Sequence, residues 1–539
     1  MSAPNEPEED HSIPAGLRSI PAAEAEAAAP RGQAATFARN SILSIGRVFV
    51  AAVIAIVLPG YLTHRLPVVT YAAWVLILQV SAYVAYLDFG IQSGIAKYVA
   101  EYEARNDAAG SSMRASAGLA LMLIASLLGV ALTLILAWQV PRLFNEMPAT
   151  LYHDVRISIL CVGISLSFGL LCSIFPSIFF GLQRYAVPMI LSIVNRILYT
   201  SAVIAAVALH QGLAVMGALV AVVNIGTGLL QFDAWRRLAN KVRLSLYGLD
   251  MAVVRKMLAY CSSLAIWNAG MLFISGLDVT IVGKYDFGQT AFYSIAVLPT
   301  NLVTAIMGAA LAPLMPTASA LSVHHSPVQM GAVLARATRY ASALLITSGV
   351  PLLVAGYWVL RVWVGPTYAM QTVGYMRILV LANILRNMAM PYASMLVATE
   401  SQKIAIGGAI AEAAVNVTCS LYLVRHIGAI GVAYGTLIGS FISIGMHFVV
   451  NMHFTKTKFA ISRFRLLLIG LVRPAMIAIP SLILIRYWWS KTAPAFGVQA
   501  WLGWGLCTVL LAWFAGLNAK ERGGLIRLAG RRLQHAYKL

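Results

Sequence analysis

Apolar runs of about twenty residues recur along this chain, separated by short polar breaks. Roughly 20 helical residues cross a bilayer core of about 30 Å. On that ruler the pattern predicts about fourteen membrane helices, near 41–62, 68–90, 115–140, 156–180, 187–209, 213–233, 256–282, 288–314, 336–360, 373–397, 403–424, 428–452, 467–486 and 498–517. The polar breaks are too short to hold a soluble domain, so any activity belongs to the helix bundle itself. Residues 1–36, rich in Ala, Pro and Glu, lack the basic start and apolar core of a cleaved signal and read as a disordered tail.

Composition agrees with the pattern. The chain is 60% hydrophobic and 11% charged, with mean hydropathy +0.79; a soluble domain carries about 25% charged residues. The five cysteines all lie in apolar runs and read as small core residues, with neither a disulfide framework nor a metal site. Basic residues are placed unevenly: 26 fall on the side that holds both termini and eight on the other. The excess of positive charge on inner loops puts both termini in the cytoplasm. It also accounts for most of the net charge of +20, which implies contact with anionic membrane lipids and not with nucleic acid.

A faint internal repeat divides the bundle. The turns "GLQRYAVPM" and "ESQKIAIGG" each place a Gln before a cation, Gln183-Arg184 and Gln402-Lys403. The next outer turns match His210/Gly212 with His426/Gly428, and six spans separate the members of each pair. The expected architecture is all-α: a six-helix lobe over 37–240, a second over 250–455, two appended helices over 460–517, and a basic cytoplasmic tail over 518–539.

Charge at membrane depth costs at least about 2.5–3.5 kcal/mol per residue, so it marks candidate functional positions. These are Arg47, Arg196, Arg377, Arg386 and Arg473, with the acids Asp278 and Glu412 at comparable depth and Asp88 and Asp233 at span ends. An interior with more arginine than acid suits an anionic substrate. Arg473 reads as a snorkelling side chain or a substrate contact. Arg196 and Glu412, at matching depths in the two lobes, read as an ion pair or as two separate lumen groups. Arg377 and Arg386 fall on opposite helix faces, so at most one faces a central cavity. Asp278 reads as a helix–helix hydrogen bond or as a protonatable coupling site. Trp267, Asn268 and Asn301 are further polar or aromatic residues within spans seven and eight. No His, Cys or acid spacing forms a catalytic or metal-ligating set, no ATP-binding loop is present, and no enzyme activity or cofactor is expected beyond coupling to a proton or sodium gradient. Two Asp-Phe-Gly triplets, at Asp88–Gly90 and Asp286–Gly288, lack every companion of a kinase site and are coincidental.

The stretches "YLDFGIQSGIAKYVAEY", "FFGLQRYAVPMILSIVNRILY", "GLDVTIVGKYDFGQTAFYSIAVLPTNLV" and the run from Met395 to Ser440 resemble bacterial polysaccharide biosynthesis proteins of the Wzx type. The likeness spans roughly residues 37 to 455. It implies the multidrug, oligosaccharidyl-lipid and polysaccharide exporter (MOP) superfamily: two six-helix lobes around a cavity, alternating access, and movement of an undecaprenyl-pyrophosphate-linked repeat unit across the bacterial inner membrane. A polysaccharide polymerase and chain-length machinery are the partners implied. In that superfamily helices one, two, seven and eight line the cavity, which favours Arg47, Asp88 and Asp278. The chain departs from lipid II flippases in having no dense basic ring on those helices. The alternatives are a multidrug cation antiporter of the same superfamily, or a membrane polysaccharide polymerase or ligase.

The segment from Leu87 to Asp107 then reads as the cytoplasmic mouth of the second span, with Asp88, Lys97 and Arg184 as gate residues and "AKYVAEYEARND" as an amphipathic helix lying at the interface.

Overall fold

The structure, a computed structural model, describes residues 31–312, 314–323, 326–399, 401–455, 459–481, 483, 498–517 and 521–523, and these contain no strand. The chain runs through helices α1 (Arg31–Arg65), α2 (Val68–Ala104), α3 (Ala108–Leu143), α4 (Ala149–Gly181), α5 (Ala186–Ala208) and α6 (Leu213–Leu238). Then follow α7 (Met251–Met271, Leu272–Gly276 and Asp278–Tyr285), α8 (Phe287–Leu311, extended by Leu314–Val323) and α9 (Pro327–Val364). The last are α10 (Pro366–Met388 and Met390–Ala398), α11 (Gln402–Ile427), α12 (Ile430–Phe454), α13 (Arg463–Ser481) and α14 (Val498–Gly516). Among the described residues, ten helices are long and apolar enough to cross a membrane. This is a multi-pass membrane protein.

The repeat seen in sequence is a repeat of packing. In the first lobe α1 packs on α5, α2 on α4, α3 on α4, and α4 and α5 both on α6. Advance every label by six and the same neighbours recur: α7 on α11, α8 on α10, α9 on α10, and α10 and α11 both on α12. Small residues allow the closest approaches. A Cβ on Gly217 of α6 would lie 2.7 Å from the Ser158 Cα of α4, and one on Gly439 of α12 would lie 3.0 Å from the Asn416 Cβ of α11. Without a water-driven hydrophobic effect between helices, such close backbone contact is a main source of cohesion in lipid.

Three apolar cores fill the bundle, and their placement defines its shape. One lies at the end where α1 turns into α2. It is continuous across both lobes, joining Leu58, Tyr71, Trp74 and Phe144 of the first to Tyr293, Tyr368 and Val432 of the second. The opposite end is here called the basic end, after its arginines and lysines, and there the core divides. Ile95, Met122 and Phe179 belong to the first lobe's cluster, and Leu334, Tyr392 and Phe459 to the second's. The lobes are therefore fused at the far end and parted toward the basic end. The start of α7 spans the gap: Met257 and Cys261 sit in the first lobe's cluster.

Several expectations are corrected. Helix α1 begins at Arg31, inside the stretch expected to be a tail, whose residues 1–30 lie outside the described set. The segment after Gly90 does not lie on a membrane surface: Ile91, Gly94, Ile95, Tyr98 and Val99 are buried in the basic-end core, so it continues α2 after a break. At that break Phe89 (φ 48°) and Gly90 (φ 77°) are left-handed, a conformation that strains a bulky Phe by about 1 kcal/mol or more. The second Asp-Phe-Gly triplet is structural: Asp286 Oδ2 accepts from Ala429 N at 3.0 Å, fixing the turn into α12. Arg473 donates to the carbonyls of Phe514 and Leu517, so it caps α14. Part of the expected tail is docked: Glu521 takes both its oxygens to Arg339 Nη2 of α9 at 2.6 Å.

Candidate functional site: the inter-lobe cleft

The cleft has a floor made from two broken helices. Between Ala82 and Asp88, α2 tightens into a 3-10 segment, and between Leu272 and Gly276, α7 widens into a π turn. Such a turn disturbs the regular i to i−4 ladder and leaves carbonyls in need of donors. The Gly276 carbonyl finds them on the other lobe: Gln79 Nε2 donates at 2.7 Å and Tyr83 OH at 3.1 Å. Tyr83 also bonds Thr280, and a Cβ on Gly276 would lie 3.2 Å from the Tyr86 hydroxyl. The Ile274 carbonyl, from the same turn, accepts from Asn416 Nδ2 of α11 at 2.6 Å. The break in α7 is thus held on one side by α2 of the first lobe and on the other by α11 of the second.

Beyond this floor the far end is latched. Glu146 Oε2, in the α3–α4 turn of the first lobe, accepts from Phe287 N at the start of α8 at 3.0 Å. A carboxylate at a helix N-terminus also meets the positive end of its dipole. Trp363 Nε1 of α9 donates to the Ile56 carbonyl of α1 at 2.7 Å, and the rings of Tyr71 and Tyr368 meet edge to face at 6.2 Å.

The acids at membrane depth in the second lobe are buried and partnered. Asp278 is 7% exposed and accepts from Thr436 Oγ1 at 2.9 Å and from Tyr293 OH at 3.4 Å. Glu412, 4% exposed, forms an ion pair with Arg386, whose Nη2 is buried and unsatisfied. One turn further along α11, Ser420 donates to Asn416 Oδ1 at 3.1 Å, tying it to the residue that holds the Ile274 carbonyl. Of the two readings of Glu412 and Arg196, the ion pair is not formed: Glu412 pairs with Arg386 on the adjacent α10 of its own lobe. Arg196 is exposed on α5 without a carboxylate partner among the described residues. Arg377 turns to the exposed face of α10 and donates to the Leu353 carbonyl at 2.9 Å, opposite in direction to Arg386.

Arg47 on α1 and Asn301 on α8 are both exposed. Trp267 and Asn268 lie on α7, but their side chains fall outside the described set. Among the residues expected at the gate, Asp88 caps the second half of α2, with Oδ1 accepting from Gln92 N at 3.3 Å. Lys97 crosses between lobes, its Nζ 4.4 Å from the ring centroid of Tyr260 on α7. Arg184 donates to the Leu238 carbonyl at 2.5 Å, joining the α4–α5 turn to the end of α6 within one lobe. Sequence reasoning missed Gln79, Tyr83 and Glu146. Gln79 and Tyr83 stand in an apolar run with no charge to mark them, and Glu146 stands in a short outer turn that looks merely solvated.

Two repeated lobes, sealed at one end and parted at the other, make up the fold of this membrane protein. Solved structures sharing it are MOP superfamily transporters. The lipid II flippase MurJ in an inward closed conformation superposes with a TM-score of 0.62 at 15% identity, over 88% of this chain and 96% of that one. An inward-facing multidrug resistance MATE family transporter gives 0.59 at 15% identity, over 75% and 96%. A MOP superfamily transporter from Pyrococcus furiosus gives 0.56 at 14% identity, over 78% and 96%. At these identities the likeness is one of fold. No family model and no curated protein matches the chain.

Proposed function

We propose that this chain is a Wzx-type flippase that carries an undecaprenyl-pyrophosphate-linked oligosaccharide unit from the cytoplasmic to the periplasmic leaflet of a bacterial inner membrane. The observation that carries the reading is the fate of the intramembrane charges. Asp278 and Glu412 are consumed by Thr436, Tyr293 and Arg386, whereas Arg47 and Arg196 have no carboxylate partner among the described residues. The uncompensated charge is positive, and that suits a pyrophosphate. The groups on the cleft floor, Gln79, Tyr83 and Tyr86, are uncharged, and the tyrosines offer aromatic faces of the kind sugars stack on. A glycan moved through bare hydrocarbon would lose water from every hydroxyl at several kcal/mol each, so a polar cleft open to one side at a time is the physical requirement, while the lipid tail stays in the bilayer. With the basic end cytoplasmic, the cleft faces the compartment in which the unit is assembled. Coupling to a proton or sodium gradient supplies the driving force.

The test is reconstitution. In proteoliposomes holding a short-chain polyprenyl-pyrophosphate oligosaccharide, the protein should expose the glycan to an external glycosidase, and Arg47→Glu should slow this at least tenfold. Unchanged exposure with and without the protein overturns the reading. The MATE likeness favours a second reading, a multidrug cation antiporter; proton-coupled drug efflux abolished by Asp278→Asn would establish it instead.

A further inference from the structure

We propose that the junction of α2, α3 and α7 at the basic end holds the phosphate of an anionic membrane lipid, a resident ligand distinct from whatever the cleft transports. A cavity of about 150 Å³ opens there, between Tyr98 of α2, Arg114 of α3, and Ala252, Val253, Lys256 and Met257 of α7. Two of its walls are cations, and they come from opposite lobes.

Neither cation is neutralised by its neighbours. Among the described residues Arg114 and Lys256 form no ion pair. The guanidinium carbon of Arg114 stands over the Tyr102 ring, 3.6 Å from its centroid, and Arg114 gives one N–H to the Gly110 carbonyl at 3.4 Å. The acids close by are already engaged. Glu101 is paired with Arg105 at 2.7 Å, and Asp250 accepts from Ala252 N at 2.8 Å at the start of α7. A third cation, Lys97, stands on Tyr98 and Tyr260 at the same junction. Like charges brought to one cavity across an interface that separate lobes share push that interface apart, unless an anion lies between them.

The contacts select the chemistry of that anion. Arg114 offers a planar fork suited to phosphate oxygens, Lys256 a point charge, and the first turn of α7 adds its positive dipole end. The floor is apolar: Met257 and Tyr98 are buried, and Val253 is half-buried. A headgroup phosphate with a glycerol backbone behind it meets both demands, whereas a free hydrated phosphate meets only the first. Basic pockets between helices at this membrane level bind lipid headgroups on the same principle. A lipid seated here ties the start of α7, which spans the gap between the lobes, to α3 of the first lobe.

The experiment measures thermal stability of the purified full chain in neutral detergent by fluorescence-detected gel filtration, titrating phosphatidylglycerol, phosphatidylcholine or inorganic phosphate. Phosphatidylglycerol should stabilise the protein where phosphatidylcholine does not. At about 1 kcal/mol per basic residue, the half-effective concentration should rise about fivefold in Arg114→Gln or Lys256→Gln and about thirtyfold in the double variant. Arg114→Lys with Lys256→Arg should keep the response, and Val253→Phe, which fills the cavity while leaving both charges, should lose it. A double variant or a Val253→Phe variant that responds like the parent overturns the proposal. So does inorganic phosphate matching the lipid at equal concentration, because the site would then belong to a free anion.

Discussion

The side-chain amide of Gln79 donates to the Gly276 carbonyl at 2.7 Å, and this bond joins the broken middle of α2 to the broken middle of α7. The break in α7 exposes a carbonyl that lipid cannot satisfy, and α2 of the other lobe satisfies it. Parting the lobes at this level therefore strands a carbonyl, so the bond belongs to the state that is closed at the far end.

Removing the donors should release that state. Gln79→Leu and Tyr83→Phe should each shift the balance toward far-end opening by about 1 kcal/mol, and the pair together by about thirtyfold. Spin labels at Val69 on α2 and Met370 on α10, both exposed at the far end, report the change as a longer inter-lobe distance. An unchanged distance distribution in the double variant would show that the floor bonds do not hold the lobes.

The latch at Glu146 separates charge from hydrogen bonding. Its carboxylate accepts from Phe287 N at a helix start, a charge-assisted bond worth about 1.5–3 kcal/mol. Glu146→Gln keeps an acceptor and should open the far end only partly, whereas Glu146→Ala removes it and should open it about tenfold or more, read with the same label pair. Equal effects of the two substitutions would argue that dipole attraction alone matters.

The lobes, their order and the concentration of positive charge at one end were legible in the chain, because membrane helices announce themselves by length and the repeat by two pairs of turns. Less legible was anything decided by which helix neighbours which. Glu412 pairs with Arg386 and not with Arg196 because α10 and α11 share a lobe, a fact of packing that spacing along the chain does not encode. The second Asp-Phe-Gly triplet carries no kinase chemistry, yet its acid is not idle, since it holds Ala429, 143 positions away in the chain. The segment after Gly90 has the amphipathic pattern of a surface helix, but its apolar face meets α3 and α4 of its own lobe and the start of α7, not lipid headgroups. Pattern alone cannot distinguish those two partners.

The Arg386–Glu412 pair tests whether buried charge serves stability or function. Removing one partner leaves the other uncompensated in a site with little water, at a cost of about 3–5 kcal/mol, so Glu412→Gln should lower the melting temperature sharply. Replacing both, as Arg386→Met with Glu412→Leu, should recover most of the loss, because well-packed apolar groups often match a buried pair. If the double variant is stable but no longer moves substrate in the proteoliposome assay, the pair is kept for transport. If it remains active, the charges are structural.

Glycines give the sharpest contrast in stability. A Cβ on Gly431, in the first turn of α12, would fall 2.7 Å from Val424 N of α11. Its obstacle is backbone and cannot rotate away, so Gly431→Ala should force the α11–α12 hairpin apart and cost about 1–3 kcal/mol. Gly226 in α6 has nothing within 4 Å of the same atom. There Gly226→Ala adds only the helix preference of alanine, about 0.5–1 kcal/mol in favour of the fold. Melting temperatures should therefore move in opposite directions for the same chemical change. A common direction would mean that propensity, and not the close approach of α11 and α12, governs these positions.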